Sequence, residues 1–348
     1  MKEKLRLALI GCGSMARSHA SRFISCEDIV EVTALVDIVQ ERAQVLSDLL
    51  SNHPPIFNDY HDAFPLCDAV LVALPHDLHA SCALDCFAAC KDVLMEKPLA
   101  NSPAECREII DAAQRTGRIL MVAYCMRFHP LLRELKRLLD AKTYGECYQL
   151  SIWTEQYTGP ERANWFGDEK RLGGGQFFSH GCHYVDLMLW MLGAPLEGSH
   201  IGTRLGAEWV AREGSSNVIM KFASGAMGYH FGTWGARGTK HGYDFQAHCT
   251  KGMIEVDISS GKLTVYSNLK DHVPGEPENC TSKELMTAPA AKPTIEELCH
   301  FVDCVRERRE PLTNGADSLA GLNVIWEFYK AEAEHRLADL RGLWPVSR

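Results

Sequence analysis

The stretch that most narrows the possible folds is 5–16, LRLALIGCGSMA. A short apolar run stops at a G-x-G-x-x-A turn, and a helical stretch follows over 17–23. Strand, glycine turn and helix in that order open a nucleotide-binding β-α-β unit. In such a unit Gly11 permits the tight turn, and Gly13 lets the backbone approach a pyrophosphate. Ala16 lets helix and strand pack closely, and the N–H groups of the helix start, around Ser14 and Met15, hold the phosphates. Glycine-rich turns are common, so the pattern gains weight only from its surroundings.

Those surroundings repeat the theme. VEVTALV, over 30–36, ends in Asp37. An acidic side chain there accepts hydrogen bonds from both hydroxyls of an adenosine ribose and repels a 2′-phosphate. Ile38 follows, with no arginine beside Asp37, so NAD is expected rather than NADP. The bland alternative is that Asp37 caps the next helix. A buried strand over 69–74 ends at Pro75, with His76 and His79 just beyond. SCALDCFAAC reads as a helix, KDVLME as a strand, ECREIIDAAQRTG as a helix stopped by Gly117, and ILMVAYC as the last strand. Alternation of this kind over roughly the first 120 residues predicts a parallel, doubly wound sheet. Ligands bind beyond the carboxyl ends of such strands. Pro75, His76, His79 and Glu96 are therefore expected at the cofactor. Lys97, held extended by the Pro98 that follows it, is expected near the nicotinamide. Its charge would stabilise the oxygen from whose carbon a hydride departs. The alternative is a surface lysine in a loop.

After PLLRELKRLLDA, a helix, the chain becomes strand-rich. ECYQLSIWTEQY alternates apolar and polar residues. SNVIMKFASGAMGYHFGTW reads as two strands about a turn at Ser224-Gly225. GYDFQAHCTKGMIEVDISSGKLTVYS reads as three more, with Gly252 and Gly261 in turns. Short hairpin connections favour an antiparallel sheet. Two helical stretches close the chain, TIEELCHFVDCVRER and DSLAGLNVIWEFYKAEAEHR, and 270–280 is turn-rich. The expected architecture is α/β: an N-terminal Rossmann domain over 1–124, and an α+β domain with a large, mostly antiparallel sheet over 125–348.

Composition excludes several classes of partner. The net charge of −9 argues against nucleic acid, which is bound through clustered cations. No eighteen-residue apolar run suggests a bilayer span. MKEKLRLALIGCG resembles a signal peptide superficially, but its apolar part is too short and runs into the glycine turn. The 14 cysteines include no C-x-x-C pair, so a zinc ribbon is not expected. Cys82, Cys86 and Cys90 read as packing residues on one helix face. Reduced thiols and a cytoplasmic setting are expected. His230, His241 and His248 lack a ligand spacing, and no metal is expected.

The segment 173–186, GGGQFFSHGCHYVD, is chemically dense. Three glycines would give a flexible loop able to approach a cofactor. His180 and His183 are three apart and share a face if the helix has already begun. Asp186 either fixes the His183 tautomer, points into water or caps a neighbour. Trp165 precedes the glycines, where an aromatic face can stack on a sugar ring. Tyr157 and Arg162 lie near it, and Arg127 is expected at a sheet end facing the crevice. Each has a structural alternative of equal weight.

The G-x-G-x-x-A turn, Asp37, Glu96-Lys97-Pro98, YCMRFHP at 124–130 and the later G-x-H-x-x-D segment together resemble the Gfo/Idh/MocA oxidoreductases. The resemblance covers essentially the whole chain. It implies a sugar, sugar-derivative or cyclitol substrate, with Lys97 and His183 at the reacting centre. It also implies a homodimer or homotetramer built on the outer face of the second sheet. Members of that family usually carry an aspartate four residues before the histidine, and Ser179 stands there instead. A serine is no carboxylate base, so His180 becomes the candidate substitute. Ser179-His180-Gly181 also resembles the T-H-G segment of NAD-dependent glycosidases of this fold, whose net reaction is redox-neutral. A third reading, a non-catalytic dinucleotide sensor, is opposed by the retained lysine and histidine.

Overall fold

The computed structural model describes residues 3–13, 15–16, 23–160, 163–268 and 280–344. Ser14, Arg162 and nearly all of the turn-rich stretch 270–280 lie outside them. The chain forms two compact units, Met1–Cys125 with Pro293–Leu319, and Met126–Lys292 with Ala320–Arg348.

The first unit carries a six-stranded sheet in the order β3-β2-β1-β4-β5-β6. Its strands are β1 (Leu5–Ile10), β2 (Val30–Val36), β3 (Ile56–Phe57), β4 (Ala69–Val72), β5 (Asp92–Met95) and β6 (Leu120–Val122), all paired in parallel. β4 and β5 are buried along their whole length. Helices on both faces leave such strands no wet side, which is why they read as unbroken apolar runs. The chain winds outward from β1 to β3, then returns to β4, so the order reverses between β1 and β4. That reversal opens a crevice at the carboxyl ends.

The connecting helices are α1 (Gln40–Leu49), α2 (His79–Ala88) and α3 (Pro103–Thr116). α3 shows how fully local chemistry can specify an element. Ser102 Oγ accepts from the Glu105 N–H at 3.2 Å and donates to the Glu105 carboxylate at 2.9 Å, with Pro103 at the first turn. Gly117 ends it in the left-handed region at φ 62°. On α2, Cys82 and Cys86 are buried, whereas Cys90 lies beyond the helix end and is exposed.

The expected boundary at 124/125 needs one correction. Pro293–Leu319, assigned from the sequence to the second domain, belongs to the first unit. Thr313 O accepts from Val122 N at 2.8 Å and Asn314 bridges Met121, which closes the open edge of β6. Arg308 forks onto buried Asp92 at 2.8 and 3.1 Å. Such non-local bonds leave no mark on periodicity.

The second unit carries a nine-stranded sheet in the order β14-β13-β12-β11-β7-β10-β9-β8-β15. These are β7 (Cys147–Glu155), β8 (Pro195–Thr203), β9 (Ser215–Phe222), β10 (Met227–Thr233), β11 (Tyr243–Cys249), β12 (Gly252–Asp257), β13 (Lys262–Asn268), β14 (Cys280–Thr287) and β15 (Ala338–Asp339). Every pairing is antiparallel except β7 with β10. The β9–β10 hairpin turns at Gly225, φ +88°. β8, PLEGSHIGT, escapes a reading by alternation because small and polar residues interrupt it. Its helices are α4 (Pro130–Asp140), the short α5 (Ala163–Phe166), α6 (Glu169–Leu172) and α7 (Gln176–Ser179), and α8 (Cys182–Leu192). α9 (Thr294–Glu307) lies in the first unit, and the second boundary falls within α10 (Gly315–Ala333).

α8 is buried on nearly every side, with only Trp190 and Leu192 retaining exposure, so it lacks a polar stripe. Asp186 is buried within it and must be neutralised. Arg127 does this as a fork, Nε to Oδ2 at 2.7 Å and Nη2 to Oδ1 at 2.6 Å, with both side chains 3% exposed. Two sequence expectations are corrected here. The Arg127 guanidinium spends its fork on a buried carboxylate instead of facing an open crevice, and Asp186 neither points into water nor caps a neighbouring element but holds Arg127. Removing one member leaves a buried charge, which costs about 3–5 kcal/mol. Asp186→Ala is therefore expected to lower the urea midpoint sharply. The double variant Arg127→Met/Asp186→Leu should recover much of that loss, measured by circular dichroism.

Candidate functional site

In the first unit the site is built on the turn after β1. Gly11 adopts φ +92°, and a Cβ there would lie 2.5 Å from the Ala73 carbonyl oxygen. Only glycine joins β1 to this turn without pushing β4 away. Gly13 is the opposite case: among the described residues no atom lies within 4 Å of where its Cβ would be. The turn is thus pressed against the sheet on one side and open on the other, a cradle that suits a diphosphate. Asp37 ends β2 and holds the turn in place. Its Oδ2 accepts from Cys12 N and its Oδ1 from Val39 N, each at 2.8 Å. The bond from Val39 N agrees with the capping alternative, and each carboxylate oxygen keeps a second lone pair for a further donor. Burial pushes the neighbouring Cys12 thiol up to about 12, so it stays protonated. Met15 is exposed, and Pro75 is half-buried.

The loop after β5 carries the lysine. Across the buried run 92–100, Lys97 alone keeps partial exposure, while Glu96 beside it is 7% exposed. Glu96 Oε2 accepts from the Lys97 backbone N–H at 3.3 Å. Beneath this loop sits His79, expected at the cofactor but entirely buried. Its Nδ1 lies 2.8 Å from Pro98 O and its Nε2 3.0 Å from Leu74 O. Burial holds its pKa below the ordinary histidine value. His79 is a brace between the loops that follow β4 and β5, not a cofactor ligand. His76 is also buried, 5.6 Å from the His79 ring.

In the second unit the three glycines have separate packing reasons, which corrects the expectation of a flexible loop. Gly173 closes α6 at φ 76°. A Cβ on Gly174 would overlap Phe178, and one on Gly175 would overlap the Glu213 carboxylate. Glu213 is itself buried, and burial pushes its carboxyl up. It accepts from Phe177 N at 3.0 Å and from Tyr329 Oη at 2.7 Å, while Gly175 N donates to that same Tyr329 oxygen at 3.1 Å. The Arg212 guanidinium lies 3.9 Å over the Tyr329 ring. The loop is held by a polar network that sequence patterns did not single out.

His180 and His183 do not share one helix. His180 caps the end of α7, and His183 lies in the first turn of α8. Their rings still approach, with centroids 6.1 Å apart at 77°. Tyr184 and Tyr243 complete the surround, 5.2 and 6.1 Å from the His180 ring. Both tyrosines escaped the sequence reading, as did Gln176, whose Nε2 lies 3.3 Å from His180 Nδ1. Its position four residues before His180 was the available signal. Ser179 is buried at the end of α7.

Trp165 packs against a cluster of Leu172, Ala207, Val210 and Trp234, edge-on to Phe166 at 4.6 Å. Tyr157 is 55% exposed, with Arg237 over its ring at 5.4 Å. Of the histidines without a ligand spacing, His230 stacks on Tyr184 at 4.9 Å, and burial lowers its pKa to about 3. His241 pairs with Asp244 at 2.7 Å.

Comparison with known proteins agrees with this architecture. The chain is 28% identical over 191 residues to the inositol 2-dehydrogenase of Salmonella paratyphi B, 54% of each protein, so the match spans about half that relative's length. It is 26% identical over 346 residues to the myo-inositol 2-dehydrogenase of Thermotoga maritima, 97% of this chain and 98% of that one. The aldose-aldose oxidoreductase of Caulobacter crescentus, solved with glycerol, superposes with a TM-score of 0.81 at 25% identity, covering 97% of this chain and all of that one. A model described as the oxidoreductase family, NAD-binding Rossmann fold, matches 5–124, and one described as the GFO/IDH/MocA C-terminal domain matches 132–255. The first unit is thus an NAD-binding Rossmann domain, and the chain belongs to the Gfo/Idh/MocA oxidoreductase family.

Proposed function

We propose that this protein is an NAD-dependent dehydrogenase of a secondary hydroxyl on a sugar, sugar derivative or cyclitol. The observation that carries the reading is Lys97: one partly exposed cation at the carboxyl end of an otherwise buried strand, in a Rossmann domain. The full-length likeness to a myo-inositol 2-dehydrogenase supports the substrate class. Bound NAD supplies the hydride acceptor. The chain's own groups manage the proton and the charge. Lys97 orients the hydroxyl and stabilises negative charge on its oxygen as the C–H bond breaks. His183 takes the hydroxyl proton, with His180 beside it.

A second reading has one specific observation in its favour, Ser179-His180-Gly181 where the family pattern has an aspartate at the first position. On it, the protein is a redox-neutral glycosidase that oxidises a hydroxyl transiently, eliminates the aglycone, adds water and returns the hydride. Release of aglycone with no accumulation of reduced cofactor, and with solvent deuterium entering the sugar, would favour it over the dehydrogenase.

We further infer a homodimer or homotetramer formed through the solvent face of the nine-stranded sheet, where Ile219 and Met227 stand 55% and 47% exposed. Light scattering on the purified chain reads this directly, and a monomer at micromolar concentration would end it.

Two substitutions test the main reading. Lys97→Met should leave NADH affinity within a few fold and lower turnover by about 10²–10³-fold; full turnover on a responsive polyol would sink the mechanism. Gly11→Ala places a methyl against the Ala73 carbonyl in a disfavoured backbone region. The strain, about 1–3 kcal/mol, should weaken NADH binding about tenfold or more in a fluorescence titration.

A further inference from the structure

We propose that Gln176 sets the tautomer of His180, so that the neutral ring carries its proton on Nε2 and meets the substrate oxygen as a donor, not as the base. This rests on the dehydrogenase reading for the substrate and on the second unit's geometry for the tautomer.

The geometry comes from three elements around one amide. Gln176 opens α7 and is wholly buried. Its backbone N–H donates to Glu213 O at 2.8 Å, which anchors the residue. Its Oε1 accepts from Ser216 Oγ of β9 at 2.9 Å. Its Nε2 lies 3.3 Å from His180 Nδ1. Gly232 of β10 makes the room: a Cβ there would overlap Nε2 and come within 2.7 Å of Oε1. Only a glycine at 232 lets the amide lie this close to β10.

An amide has one accepting end and one donating end. With Oε1 turned to the Ser216 hydroxyl, the NH₂ faces the imidazole. A nitrogen that receives an N–H must present its lone pair, so Nδ1 is unprotonated. A neutral imidazole carries one N–H, which then sits on Nε2. The rings around His180 are those of His183 and Tyr184 from α8 and Tyr243 from β11.

The consequence is a division of labour. In the sequence reading, His180 was the substitute for the missing carboxylate base at Ser179. With its proton on Nε2, His180 instead donates a hydrogen bond to the hydroxyl oxygen and stabilises the alkoxide. The proton passes to His183. Gln176 acts through His180 and is a positioning residue.

The test is the histidine ¹⁵N spectrum of the full chain with NAD bound, His180 being assigned by the signals that vanish in His180→Gln. Long-range ¹H–¹⁵N correlations separate a protonated from an unprotonated ring nitrogen. The wild-type ring should show an unprotonated Nδ1 and a protonated Nε2. Gln176→Glu puts an acceptor in place of the donor and should reverse that pattern. It should also lower turnover about tenfold or more while KM moves less than about threefold. Gln176→Met, of similar volume, should leave the two tautomers mixed. A wild-type ring protonated on Nδ1 would overturn the proposal, because the amide would then be turned the other way. So would a folded Gln176→Glu whose ring pattern is unchanged. The wild-type measurement needs only His180→Gln to fold, for the assignment, and not any Gln176 variant. Full turnover in Lys97→Met would sink the dehydrogenase mechanism without moving this spectrum, so the two failures are distinguishable.

Discussion

The bond on which the nucleotide half depends is the one from Cys12 N to the Asp37 carboxylate. It joins the turn after β1 to the end of β2, two strands of one parallel sheet. The same carboxylate accepts from Val39 N, so one side chain organises the start of the next connection as well. A charged acceptor makes stronger hydrogen bonds than a carbonyl, and burial at 8% exposure keeps water from competing. Gly11 is pressed under the Ala73 carbonyl on the other side. The turn is thus fixed to the sheet on its protein side, while among the described residues nothing crowds Gly13. A dinucleotide site needs that combination, because loop ordering on binding would otherwise subtract from affinity.

The second unit solves a different problem. It keeps histidines in fixed positions at a helix junction, where backbone polar groups are left over. Glu213 and Tyr329 satisfy those groups from distant parts of the chain, and Gln176 and Ser216 do the same for one imidazole. Glycine supplies the clearance each time, at 174 and 175 for Phe178 and Glu213, and at 232 for the amide. The Arg127–Asp186 fork beneath α8 follows the same rule: a buried charge persists only with a partner of matching geometry.

Much of the fold was legible in the chain. Five strands of the first sheet, the Gly117 stop of α3 and the hairpin at Gly225 each rest on residues a few positions apart, whereas the two-residue β3 went unread. The first unit's glycine turn, Asp37 and Lys97 were legible for the same reason. The expected helix face shared by His180 and His183 does not exist, because the break at Gly181 looks no different in sequence from a helical glycine. Tyr243 and Glu213 were missed, since their roles come from neighbours far away in sequence, and Gln176 was missed although His180 stands only four residues on.

The sequence by itself determined the strand and helix periods, the turn that needs a left-handed glycine, and the order in which chemistry-bearing residues occur. These depend on backbone sterics and side-chain spacing over a handful of residues. Only the tertiary structure decided that Arg127 answers Asp186, that His79 is a buried brace, that the glycines at 174 and 175 make way for side chains, and that 293–319 returns to the first unit. Such outcomes depend on which groups burial brings face to face. A charge or an imidazole takes its role from the partner that removes it from water, and that partner can lie anywhere along the chain.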